Sequence, residues 1–235
     1  MFWAEARRVY GHLTAEDPEI ARYLQLVGAV QEEGGGGLAE YFENLGRRWV
    51  VAHTPRGRVL EIGAGLGRHA RLNTRHDGDY FVSEFQGGHL KNPLWKKFAG
   101  RGVQCDAARL PFRAEGFDAV VSTYSLEHMR RLSETLAEIT RVLKPGGRLV
   151  LALPCEGGFL WNFGRHITTR RVFQRDFGLN YDKIIAYEHV HDLTSVQQHL
   201  SANRDLTLQK RRFYPAGLPQ RDLNIIACFA LQKRS

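Results

Sequence analysis

Apolar residues recur at three- and four-residue intervals early in the chain, as Ile20, Leu24 and Val27, then as Leu38, Phe42, Leu45 and Trp49. That spacing puts each set on one face of a helix. Between the two stripes stands Gly34-Gly35-Gly36-Gly37, which cannot hold a helix. The pattern therefore predicts two helices hinged at the glycines, with residues 1–55 forming an N-terminal helical cap. Such a cap reads equally as a lid over a ligand mouth or as a plain flexible connection.

From Arg58 the period changes, and strand-like runs alternate with helix-like ones. The strands predicted are Val59–Ile62, Tyr80–Glu84, Gly102–Cys105, Phe117–Ser122 and Arg148–Leu153. Before the fifth, Leu132, Leu136, Ile139 and Leu143 make a helical stripe that Lys144-Pro145-Gly146-Gly147 terminates. This alternation predicts an α/β domain over residues 56–235, with a parallel sheet covered by helices on both faces. After Pro154 a stretch rich in Arg, His and aromatics, about residues 156–192, reads as an insertion covering the substrate. A helix near Leu193–Leu200 follows, and then two strands, Leu206–Phe213 and Leu223–Leu231, joined closely enough to be antiparallel.

Composition narrows the setting. Among 235 residues, 33 Lys plus Arg stand against 25 Asp plus Glu, a formal charge of +8. The surplus favours anionic partners, whether phosphorylated metabolites, lipid head groups or nucleic acid, and it equally fits a role in solubility. Cys105, Cys155 and Cys228 are widely spaced in apolar surroundings, which predicts buried free thiols in a reducing compartment. No run approaches the roughly 18 apolar residues of a membrane span, and Met1–Arg8 lacks a signal-peptide core. A cytoplasmic location is the expectation, with the oligomeric state left open.

The chemistry concentrates at Val59-Leu60-Glu61-Ile62-Gly63-Ala64-Gly65-Leu66-Gly67-Arg68. A buried strand carrying a carboxylate runs into glycines at alternate positions, where the backbone can turn sharply and approach a ligand. A dinucleotide fingerprint would need its third glycine where Arg68 stands, so the spacing argues against NAD. Ligands in such sheets bind at the carboxyl ends of the strands. Glu84 closes the second strand 21 positions after Gly63, where a carboxylate can accept both hydroxyls of a ribose.

The acidic-x-Gly-x-Gly-x-Gly loop resembles that of the class I S-adenosylmethionine-dependent methyltransferases, of the type 11 kind. Further matches follow in order. Asp106-Ala107-Ala108-Arg109-Leu110-Pro111-Phe112 resembles the family's Asp-Ala-x-x-Leu-Pro-Phe motif, Phe117–Ser122 with Leu126-Glu127-His128 its fourth motif, and Leu143–Gly147 the turn before its fifth strand. The resemblance implies a Rossmann-like, doubly wound seven-stranded sheet of order 3-2-1-4-5-7-6 with strand 7 antiparallel. It implies S-adenosyl-L-methionine as methyl donor and S-adenosyl-L-homocysteine as product. Donor contacts would come from Glu61 (the methionyl ammonium), Gly63, Ala64, Gly65 and Gly67, Glu84 (the ribose), Asp106 and Ala107 (the adenine), Ser122 and Tyr124. One departure is Phe85-Gln86-Gly87-Gly88 after Glu84, where many relatives begin a helix at once.

Because the sulfonium methyl is already activated, catalysis can be largely positional, with a base needed only for an acceptor that keeps its proton. Candidates for that base are His128, Glu188, His189 and His191. His128 reads equally as a packing residue, and Glu188-His189-Val190-His191 as part of a substrate cover; no metal site is assigned. Asp192 also suits a helix cap. The Arg-rich stretch Gly164–Arg175 suits an anionic or phosphorylated acceptor, or a solvated face. The expected activity is methyl transfer to a small molecule such as a sugar, lipid or secondary metabolite. Methylation of RNA or DNA, and a donor-binding partner subunit without catalysis, are the alternatives.

Overall fold

A computed structural model describes residues 3–33, 37–73, 79–87, 89 and 101–235. At its centre is a seven-stranded sheet built from β1 (Val59–Ile62), β2 (Tyr80–Glu84), β3 (Gly102–Gln104), β4 (Phe117–Thr123), β5 (Leu143–Pro154), β6 (Leu206–Pro215) and β7 (Asn224–Lys233). The strand order is β3-β2-β1-β4-β5-β7-β6, and β7 runs antiparallel to both neighbours. The expected topology is therefore the one observed.

Alternation along the central strands divides the core in two. Val59, Ala119, Val121, Val150, Ala152, Ile226 and Cys228 face one side, against Val50 of α3 (Gly37–His53) and Ala70 of α4 (Arg68–Leu72). Leu60, Ile62, Val120, Leu149, Leu151, Ala227 and Phe229 face the other, against α5 (Leu132–Val142) and α9 (Leu193–Ala202). Strands buried on both faces read as nearly continuous apolar runs, as Val59–Ile62 does. The outer strand β6 instead exposes Lys210, Arg211 and Arg212, charges that oppose edge-to-edge pairing.

Three local readings change. The α5 helix ends at Val142, and Leu143 already pairs with Phe117; Lys144–Gly147 loops out within β5 before the register resumes at Ala119 and Arg148. Residues 156–192 are mostly helical, as α6 (Phe159–Ile167), α7 (Thr169–Val172), a π-turn (Phe173–Phe177) and α8 (Tyr181–Glu188). Amphipathic stripes this short were masked by the Arg and His content. Cys105 is half-buried rather than buried, while Cys155 and Cys228 are enclosed and free as expected.

The N-terminal segment splits by role. Its third helix, α3, packs on the sheet, whereas α1 (Trp3–Tyr10) and α2 (Pro18–Glu33) lie against α8. Arg7 donates to the Ala186 carbonyl at 2.6 Å, and Lys183 pairs with Glu19 at 3.1 Å. The hinge expected at Gly34–Gly37 falls outside the described residues except for Gly37, which opens α3. Helices α1, α2, α6 and α8 thus form one layer that meets the carboxyl edge of the sheet.

Candidate active site

Where that layer meets β1 and β4 there is a cavity of about 280 Å³. Its floor is Gly63, Ala64 and Gly65, with Thr123 and Tyr124 beside them; its roof includes Tyr23 of α2, Arg165 of α6, Ile184, Ile185 and Glu188 of α8, and His189. Gly63 takes φ +61°, and a Cβ there would stand 2.5 Å from the Cβ of Ser125, so no other residue fits. Gly65 takes φ +51°, and a Cβ on it would meet nothing within 4 Å, because it would project into open space. The loop is a cradle bare on its cavity side.

The loop is held from β2. Glu84 accepts from the Gly65 amide at 2.7 Å and the Gln86 amide at 2.9 Å, with His89 Nδ1 3.6 Å away. Burial pushes its carboxyl up, but His89 and the two amides outweigh burial and hold it below the ordinary range. Glu84 is therefore ionised at neutral pH, with acceptor capacity left for hydroxyl donors.

One strand further out, Asp106 accepts from the Ala108 amide at 2.8 Å and from Arg131 Nη2 at 2.6 Å. The amide, then Arg131, lower its pKa, and about two-fifths of its side chain is exposed. Arg131 was not anticipated, and it occupies an oxygen that the sequence reading assigned to adenine. Glu61 faces the sheet side of the loop, where it is enclosed and accepts from the Tyr80 hydroxyl at 2.6 Å. Burial pushes it up to about 8, against the opposing pull of Tyr80 and Arg47. On adjacent strands, Glu61 lies one residue before the end of β1, Glu84 ends β2, and Asp106 follows β3 by two residues.

The remaining predicted residues divide between wall and support. Tyr124 lines the cavity at φ +57° and donates to the Glu43 carbonyl at 2.9 Å, fixing α3 to the end of β4. Ser122 is fully enclosed and bonds Ser125, which in turn donates to the Ile62 carbonyl at 3.2 Å. It supports the loop from beneath. Among the described residues Glu61, Glu84, Asp106, Gly67, Ala107, Ser122 and His191 stand apart from the cavity lining; His191 Nδ1 meets Ser195 Oγ at 2.8 Å, beside the α9 cap that Asp192 makes to Ser195.

His128, Glu188 and His189 do converge in the wall. His128 Nδ1 lies 3.0 Å from the Glu188 carbonyl oxygen and 3.5 Å from its carboxylate, and the two histidine rings meet edge to face at 4.5 Å. His189 Nδ1 is bonded to Glu156, a fully enclosed carboxylate just past β5. Sequence reasoning missed Glu156, although the strand-end rule that singled out Glu84 applies to it as well.

Residues 60–151 match a family model described as a methyltransferase domain. Those residues are thus a methyltransferase domain, and the sheet order is that of the class I methyltransferase fold. Over 114 residues the chain is 40% identical to the ubiquinone/menaquinone biosynthesis C-methyltransferase UbiE of Desulfotalea psychrophila, covering 44% of this chain and 45% of that protein. The chain thus spans less than half the length of the curated relatives it matches. In fold it is similar to a SAM-dependent methyltransferase of Thermotoga maritima, with TM-score 0.61, 17% identity, and 91% and 99% of the two chains covered. It is also similar to the Burkholderia thailandensis 1,6-didemethyltoxoflavin-N1-methyltransferase, solved with bound 1,6-didemethyltoxoflavin and S-adenosylhomocysteine, with TM-score 0.60, 16% identity, and 95% and 92% covered.

The donor set of the methyltransferase domain fits S-adenosylmethionine. An ionised carboxylate at Glu84 has the chemistry to accept from hydroxyls, and the glycine loop is open at Gly65, where a ligand can approach the backbone. Among the described residues no helix is long and apolar enough to cross a membrane.

Proposed function

We propose that this chain transfers the methyl group of S-adenosylmethionine to a small-molecule acceptor held beneath the helical layer. The carrying observation is the cavity itself. At about 280 Å³ it falls just short of the usual ligand sites, roughly 300 Å³ and upward, and it joins the glycine cradle to His128 and His189. A roof of helices over the reacting end suits a compact acceptor better than a duplex or a long polymer.

The donor supplies an electrophilic methyl on sulfur; the chain's residues bind, orient and exclude water. Glu84 receives the ribose hydroxyls, Asp106 and Ala107 the adenine, and the Gly63–Gly65 backbone the methionyl part. Glu61 acts from behind the loop through Tyr80 and its own negative charge, which a nearby ammonium would promote. Helices α1 and α2, together with residues 156–192, serve as the cover, and α3 serves as part of the sheet domain. Arg165, on α6, stands in the wall stacked over Trp161 at 4.3 Å and Tyr181 at 4.9 Å, and it favours an acceptor carrying negative charge.

Calorimetry with S-adenosylhomocysteine tests the donor site. Wild type is expected to bind, and Gly65→Val to lose at least tenfold, since its side chain would occupy the cradle; wild-type affinity in the variant refutes the placement. Incubation with labelled donor and cell extract, fractionated into metabolites, lipids and nucleic acid, tests the acceptor. Label in the small-molecule fraction is expected. Label in RNA overturns the acceptor class, and tight donor binding with no label anywhere overturns turnover in favour of a partner subunit.

A further inference from the structure

His189 and Glu156 form a pair that nothing in donor binding requires. Glu156 is fully enclosed, a costly place for a carboxylate unless it holds a partner. One of its oxygens engages His189 Nδ1; the other, Oε1, has no hydrogen-bond partner among the described residues. His189 also forms part of the wall of the cavity floored by Gly63 and Gly65. With Nδ1 committed to Glu156, Nε2 is the ring nitrogen left for a ligand.

We infer that His189 is the proton acceptor for a methyl acceptor bearing an O–H or N–H group, and that Glu156 is the positioning residue that fixes its tautomer. This rests on methyl transfer as proposed above. A carboxylate that accepts Nδ1–H leaves the Nε2 lone pair bare and directed away from that carboxylate, and it stabilises the imidazolium once formed. Burial, and then His128, hold His189 well below the ordinary imidazole range, so it is neutral and able to accept at pH 7. In the step, the electron pair of the acceptor heteroatom forms the bond to the methyl carbon and the carbon–sulfur bond breaks with its pair left on sulfur. The heteroatom's proton passes to His189 Nε2. The imidazolium then returns that proton to solvent.

The surroundings restrain His189 from every side. The His128 ring lies against it, Trp161 of α6 stands 6.1 Å away, and the Trp3 indole of α1 donates to its carbonyl at 3.3 Å. The titratable and charged groups facing it are Glu156 after β5, His128 after β4 and Glu188 at the end of α8. A ring serving only to fill space would need neither a buried carboxylate nor a place in the cavity wall.

The test begins with nitrogen NMR of histidine-labelled protein, the His189 signal being assigned from a His189→Gln spectrum. In wild type His189 is expected neutral at pH 7, protonated on Nδ1 and bare on Nε2. A wild-type ring protonated on Nε2 overturns the inference outright, with no variant needed. In Glu156→Gln the tautomer should shift towards Nε2–H, and label transfer to the small-molecule fraction should fall at least tenfold while S-adenosylhomocysteine affinity stays within twofold. Undiminished transfer in that variant also overturns it. Failure of wild type to bind S-adenosylhomocysteine would instead remove the proposed function and leave the tautomer measurement standing.

Discussion

Glu61 is a residue whose environment and whose motif pull in different directions. Its position in the loop motif suggests a ligand for a cation, yet it is enclosed behind the loop and pushed up from 4.5 to about 8. Between those values the folded chain holds a proton that the unfolded chain has released, so stability falls as pH rises from 4.5 to 8. In the absence of donor, Glu61→Gln should remove that slope while keeping the bond from Tyr80; denaturant midpoints across the window check it, and parallel curves for both proteins would contradict it. Asp106 offers a second case. Its pair with Arg131 is half-exposed and screened by solvent, so Arg131→Ala should change stability little. Because the same change frees Asp106 Oδ2, donor affinity by calorimetry should hold or rise; a marked loss would make Arg131 a donor contact.

The junction of α3 with the sheet shows how an element is locked in place. A Cβ at Gly46 would overlap the Tyr124 hydroxyl and stand 3.0 Å from Ile226 Cγ2 and 3.2 Å from Ala152 Cβ. Gly46→Ala should destabilise by about 1–3 kcal/mol, as overpacking does. Adding Tyr124→Phe removes the hydroxyl and should recover part of that loss, which a double-mutant cycle in thermal unfolding measures; strict additivity would mean that α3 simply shifts. At this scale the sequence was most legible where period and burial agree. Val59–Ile62, Tyr80–Glu84, Phe117–Ser122 and the α5 stripe carry their faces in their spacing, and the glycine loop carries its turn in the residues themselves. The helices within 156–192 were not legible, since each is short and shares its apolar face among several partners, α1, α2, one another and the sheet. Arg131 was hidden because its role comes only from Asp106, a partner distant in sequence, whereas Glu156 stood at a strand end and lacked only its distant partner His189.

Across the whole molecule two bodies of structure meet at the cavity, and they are tied differently. The sheet with α3, α5 and α9 carries Gly63 just past β1, Glu84 at the end of β2 and Asp106 just past β3, and its central strands are buried in the core. The covering layer carries Arg165, Glu188 and His189, and α1 clamps it: Arg7 holds the Ala186 carbonyl, Trp3 holds the His189 carbonyl, and the Trp3 amide donates to Asn162 Oδ1 at 3.3 Å. Among the described residues, removing α1 therefore takes these three bonds and the buried Ala6 from the cover and none from the strand ends. Regions with fewer buried contacts open at lower free energy. A chain lacking residues 1–11 should keep slow hydrogen exchange in β1, β4 and β5 and bind S-adenosylhomocysteine within about threefold of wild type. Exchange should quicken at Ile184–His189, and transfer should fall because the His189 ring is no longer fixed over the cradle. Faster exchange throughout the strands would instead make α1 part of the main core, and unchanged exchange in α8 would mean that the clamp is not what orders the cover.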